Sequence, residues 1–190
     1  MNTVNDPQRK ALLQDISSLF EKRLSAAQKG IAGPFLDQCL EHVPYDEFRH
    51  REPDRLAAIL AGPFHFMQRR KVSDALVRVY NPEMKRDGWE SVYSVLELVN
   101  DDQPFLVDTA IMTLSEMGIG VHLVIHPVLR VERDGRGRLR KILSHDSDEG
   151  QPESVIQLHI DRRTDPATIE SIQKRLASVL SDAAKATQDW

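Results

Sequence analysis

The stretch Leu96-Glu97-Leu98-Val99-Asn100-Asp101-Asp102-Gln103-Pro104-Phe105-Leu106-Val107-Asp108 decides the fold. Its first part belongs to an alternating run over 92–99. Val92, Leu96 and Leu98 face one way; Tyr93, Val95, Glu97 and Val99 face the other. Both faces are largely apolar, which predicts a central strand. Acidic and amide residues at 100–103 then break the period. Pro104, with its fixed φ, predicts a helix over 104–117. Leu106, Val107, Ala110, Ile111, Leu114 and Met117 form its apolar stripe, opposite Asp108, Ser115 and Glu116. Gly118 and Gly120 end it.

Downstream, 121–132 predicts a long strand in which Pro127 marks a bulge or an edge. Asp134-Gly135-Arg136-Gly137 is a hairpin turn, 139–143 a returning strand, 145–152 a loop and 154–161 a further strand. Asp165 and Pro166 cap and open a last helix. Its repeat of Ile169, Ile172, Leu176, Val179, Leu180, Ala183, Thr187 and Trp190 is still running at the final residue, so a chain cut from a longer protein is expected. Upstream, 76–80 is a strand closed by Asn81-Pro82, and Asp87-Gly88 is a turn. The residues before it read as helices. Asp6 and Pro7 open the first, which carries Leu12, Ile16, Leu19, Phe20 and Leu24. Gly30 and Gly33 break the pattern, and Pro34 starts a second helix that stops near His42, before Pro44. A third follows Pro53, with a kink or interruption expected at Gly62-Pro63. The chain thus divides into a helical lead-in, 1–72, and a domain, 73–190, ordered β, β, α, β, β, β, α. That is an α+β, ferredoxin-like plan: an antiparallel sheet with two helices on one face, preceded by an all-helical N-terminal segment.

Composition narrows the function. Of 190 residues, 41% are hydrophobic and 28% charged, an ordinary globular mixture. The net charge of −4 lacks the basic excess of a nucleic-acid-binding domain. Strand 121–131 carries no aromatics on which bases could stack. Cys39 is the one cysteine, consistent with a reducing cytoplasm, and its neighbours Phe35, Leu36 and Leu40 mark it as a buried apolar residue. Neither a signal peptide nor a run of about 20 apolar residues is present, so no membrane role is expected. There is no G-x-G-x-x-G, no phosphate-binding loop, no H-E-x-x-H and no zinc-spaced Cys/His pair. No catalytic residue, metal or resident cofactor is therefore expected. His122 and His126, four apart, share a strand face beside Val124 and read as half-exposed or packed positions. Arg69-Arg70-Lys71 reads as a solvated basic run at a helix end, and the arginines of 130–141 as a solvated hairpin.

The segment from Leu96 to Asp108 also resembles the signature of ACT domains, where a strand leads through Asp-x-Pro-Gly-Leu into the first helix. That resemblance implies a free amino acid held at the helix start, between domains paired side by side. A longer series extends it: Arg78-Val79-Tyr80-Asn81-Pro82, Asp87-Gly88-Trp89-Glu90-Ser91, the run above, His122-Leu123-Val124-Ile125-His126-Pro127-Val128, Glu153-Ser154 and Gln188-Asp189-Trp190. In this order it is similar to the N-terminal region of the large bacterial NAD-specific glutamate dehydrogenases, over roughly residues 10–190. The resemblance implies a helical lead-in and a first ACT-like domain, with NAD and the catalytic residues in a downstream domain. It implies as partners the other domains of the same polypeptide and a second copy, paired through the edge at 121–131. A possible effector site would comprise Asp101, Asp102, Gln103, Phe105 and Leu106, with His122 and Val124 from the adjacent strand. Asp102 would take the amino group and the helix N-terminus the carboxylate. The sequence departs from the motif at Phe105, where glycine is usual. Its side chain is expected to fill space a ligand would use, which leaves a structural self-association scaffold with no ligand as the alternative.

Overall fold

Three helices open the chain in the computed structural model, which describes residues 7–41, 50–71 and 74–188. They are α1 (Pro7–Glu21), α2 (Ala26–Glu41) and α3 (Pro53–Phe66). Asp6, His42, Pro44, Asp189 and Trp190 lie outside the described residues. α2 begins well before the expected Pro34. Ser25 and Gln28 form a reciprocal cap: Ser25 N–H donates to Gln28 Oε1 (3.0 Å) and Gln28 N–H to the Ser25 carbonyl (3.0 Å). That cap outweighs Gly30, Gly33 and Pro34, all of which the helix carries. α3 likewise runs unbroken through Gly62-Pro63. Pro63 has no N–H for the Ile59 carbonyl, and Gln157 Nε2 donates to that oxygen instead (3.1 Å). Phe20, Phe35 and Phe64, one from each helix, pack with ring centroids 5.0–5.9 Å apart.

The remaining elements are β1 (Leu76–Tyr80), the one-turn α4 (Met84–Asp87), β2 (Ser94–Asp101), α5 (Leu106–Glu116), β3 (Val121–Ile125), β4 (Val128–Arg133), β5 (Leu139–Leu143), β6 (Gln151–Ile160) and α6 (Pro166–Gln188). All strand pairs are antiparallel, in the order β1-β2-β6-β4-β5, and β3 also pairs with β6. β3 and β4 are the single strand expected over 121–132, divided at His126-Pro127. β2 is central, as its two apolar faces require. β1 takes the place beside β2 that a fourth strand following α6 fills in the ferredoxin-like plan.

The two faces of β2 sort into two cores. Leu96 and Leu98, with Ile156, Leu158 and Ile160 of β6, lie beneath α5 and α6. Val99, Val155, Leu129 and Val131 face the lead-in helices and share their core. The lead-in therefore covers the second sheet face, giving three layers. Asp165 caps α6 through Thr168 N–H (3.0 Å) and Thr168 Oγ (2.6 Å).

Two charged groups held by the lead-in were read differently from sequence. Arg70 is not solvated: it is 2% exposed and donates to Glu153, itself 1% exposed, from Nη2 at 2.7 Å. It also pairs with Asp101. Arg133, on the supposedly solvated hairpin, donates to both Glu153 oxygens at 2.7 Å and to the Met67 carbonyl at 2.9 Å. Deeper under α3, Glu97 is fully buried and accepts from Arg78 Nε (2.7 Å), Tyr80 Oη (2.9 Å) and Gln157 Nε2 (3.2 Å). Burial pushes its carboxyl up and the Arg78 charge opposes that. A Cβ on Gly62 would stand 2.4 Å from Glu97 Oε1, so α3 can approach this cluster only through a glycine.

Candidate ligand site and pairing edge

The β2–α5 turn gathers the residues singled out from sequence. Asp101 ends β2 opposite Glu153 and is held by Arg70. Asp102 N–H donates to the Pro152 carbonyl (3.0 Å), which pins the turn to β6. Its Oδ1 accepts from Ser154 Oγ at 2.6 Å, and His126 Nε2 lies 3.0 Å from that same hydroxyl. Ser154 has one proton and gives it to the carboxylate, so His126 Nε2 is the donor in its own bond. Burial holds His126 below its ordinary value while the Asp102 charge pulls the other way. This His–Ser–Asp chain is not a nucleophilic constellation. The serine sits between its partners with no imidazole acceptor beside it, and it is fully buried.

Gln103 is half-buried and Leu106 enters the core beneath α5. α5 starts at Leu106, later than the expected 104, because Phe105 adopts φ 64° and serves as its N-cap. Among the described residues Phe105 is the one non-glycine at positive φ. Its backbone lies in the left-handed region that favours glycine, and the residue is 77% exposed rather than filling the turn. The Thr109 amide donates back to its carbonyl at 2.8 Å.

His122 does not join this group within the chain. A register shift between Val121 and Leu123 turns it away, and it reaches Asp161 Oδ1 (2.8 Å) at the far end of β6. It stacks on Tyr93 there, centroids 4.3 Å apart. The Gly120 N–H and then His122 hold the Asp161 carboxyl below the usual range. His126, not His122, is the histidine that meets the turn, and the shift means the two do not share a face. Val124 pairs with Leu158 and is 42% exposed. The other side of β3 has no partner strand among the described residues. Phe105, Met112 and Val124 are three of the five large exposed hydrophobics among them. Cys39 is buried as expected, and burial pushes its thiol up. No helix of the described residues is long and apolar enough to cross a membrane.

The family described as "Glutamate dehydrogenase, ACT1 domain" matches residues 35–176, a span that crosses residue 72 and takes in α3 as well as the sheet. An NAD-specific glutamate dehydrogenase of Halomonas elongata is 28% identical over 192 residues, covering 100% of this chain and 12% of that protein. One from Pseudomonas aeruginosa is 30% identical over 159 residues, covering 82% of this chain and 10% of that protein. The chain thus spans about a tenth of the length of the curated relatives it matches. No solved structure matches it. With the family match spanning both layers and the sheet between them, the chain belongs to the glutamate dehydrogenase ACT1 domain family.

Proposed function

We propose that this chain is the non-catalytic regulatory and assembly module of an NAD-dependent glutamate dehydrogenase. The whole protein would convert L-glutamate, NAD+ and water to 2-oxoglutarate, ammonium and NADH, with NAD bound in another part of the polypeptide. The observation that carries the reading is the conjunction of a β3 edge that has no partner strand among the described residues with the Phe105 turn. An unpaired edge is a template for another strand, and an exposed apolar ring beside a helix start is a contact surface. Phe105 retains a glycine's backbone with its ring turned outward, so the turn stays open to a small amino acid between paired domains. His126 replaces His122 in the proposed effector site, beside Asp101, Asp102, Gln103, Phe105 and Leu106; Val124 belongs to the pairing edge.

Thermal unfolding against all twenty free amino acids, with mass in solution measured alongside, tests the reading. A ligand that binds only the native state at 100 times its Kd stabilises by about 2.7 kcal/mol. One amino acid raising Tm, in a chain that forms dimers, is the expected outcome. Dimers without any shift would leave the scaffold alternative, in which the edge pairs and nothing binds the turn. A strict monomer whose Val124→Lys variant behaves identically would remove the assembly role.

A further inference from the structure

A cleft of about 440 Å³ opens between the lead-in and the β1–α4 segment, away from the β2–α5 turn. Arg23, His65, Arg78, Lys85 and Arg86 line it, and Asp87 is the one carboxylate among its lining residues. A chain of net charge −4 has gathered four permanent cations in one concavity. Part of that charge is already matched. Arg23 Nη2 donates to Asp54 Oδ1 (2.8 Å), Arg86 Nη2 pairs with Asp87 Oδ2 (2.9 Å), and Arg78 serves Glu97 beneath the cleft floor. Two groups are not matched. Among the described residues, the buried Arg23 Nε has no hydrogen-bond acceptor and Lys85 makes no ion pair. A buried guanidinium N–H without an acceptor is costly and calls for one. The Arg23 guanidinium packs directly against Gly88, which adopts φ 76°. Arg78 is held from behind by the Glu97 carboxylate and the Gly62 carbonyl (3.0 Å). A concave set of predominantly cationic donors is the recognition chemistry of an oxyanion.

We infer that this cleft binds a small oxyanion, a carboxylate or a phosphate, which accepts hydrogen bonds from the Arg23 guanidinium and Lys85 Nζ. The site differs in place and partners from the β2–α5 turn, so it stands whether or not that turn binds an amino acid. It lies between α1, α3 and the start of the sheet, where a bound anion would tie the lead-in to β1 and α4.

Trp89 lines the same cleft and reports on it once Trp190 is replaced by Phe, since the chain has two tryptophans. The experiment titrates the full 190-residue Trp190→Phe chain with inorganic phosphate and, separately, with L-glutamate. Sodium chloride at matched ionic strength is the control, and calorimetry runs beside the fluorescence. Saturable binding of one probe, beyond any effect of chloride, is expected. Phosphate alone would identify a phosphate site and glutamate alone a carboxylate site. Lys85→Ala, an exposed change that breaks no internal bond, should weaken binding about tenfold, as losing one charge-assisted hydrogen bond does. Arg23→Gln should weaken it at least as much. Asp102→Ala, in the other turn, should leave it unchanged. No saturable response to either probe would overturn the inference. So would binding that Lys85→Ala leaves intact and Asp102→Ala abolishes, because the anion would then belong to the β2–α5 turn.

Discussion

Phe105 holds a conformation that costs an L-residue about 1–2 kcal/mol, and its exposed ring recovers little of that inside the chain. Replacing it with glycine relieves the strain and raises the entropy of the unfolded chain, an offset of about 0.5–1 kcal/mol. Phe105→Gly should therefore stabilise the isolated chain by roughly 0.5–1 kcal/mol, a Tm rise of about 1–4 °C. Phe105→Val, β-branched at positive φ, should lower Tm. If Phe105→Gly lowers Tm, the ring is held by contacts within the chain and its role as an outward contact is lost. The position was legible in sequence as the one departure from a glycine motif. Where the ring would go was not, because that depends on whether the backbone changes with the residue or stays as it was. The direction of His122 within the chain was hidden for a related reason: the irregularity after Val121 redirects it, and no residue type at 121–123 announces that.

At the level of elements, the lead-in is joined to the sheet by buried charge as well as apolar contact. Arg70 lies at the exit of the lead-in and reaches Glu153 across 83 residues of sequence. Gln157 reaches the carbonyl freed by Pro63 across 98. Periodicity reveals which side chains face inward, but not such pairings, so Arg70 read as one of three surface cations. The helices, the strands and the Asp165 cap followed from local pattern, whereas the start of α2 was also local and was masked by its glycines: Ser25-x-x-Gln28 is a capping signature in plain view. Arg70→Met tests the junction. Removing one partner of a buried ion pair costs about 3–5 kcal/mol. Because Arg133 still holds both Glu153 oxygens, the low end is expected, about 3 kcal/mol, or a Tm loss of roughly 6–12 °C. Arg69→Ala, at the exposed neighbour, should stay within about 0.5 kcal/mol. Equal effects from the two would mean that Arg70 gains nothing from its burial.

For the whole molecule, having both sheet faces covered makes stability depend on pH through groups that an open sheet would leave in water. His159 faces the lead-in side of β6, 3% exposed and stacked on Trp89 with centroids 5.6 Å apart. Its Nε2 has no hydrogen-bond partner among the described residues. Burial first, then the charges of Arg51, Arg55 and His122, lower its pKa from 6.5 to about 4. The native state therefore stays unprotonated at His159 while the unfolded chain takes up the proton. Stability is lost as pH falls from about 6.5 to about 4, and the loss is complete below that window. His65 and His126, also lowered by burial, act with the same sign. Between pH 7.5 and 5 the His159 contribution is about 2 kcal/mol. Urea unfolding at those two pH values should show that loss in the natural chain, and a loss smaller by about that amount in His159→Phe, which keeps an aromatic ring against Trp89. The same acid loss in both chains would place the titration elsewhere and imply that water reaches His159. In that case the lead-in would not seal this face of the sheet in solution, and the tie between the two layers would be looser than the buried Arg70 and Glu97 clusters require.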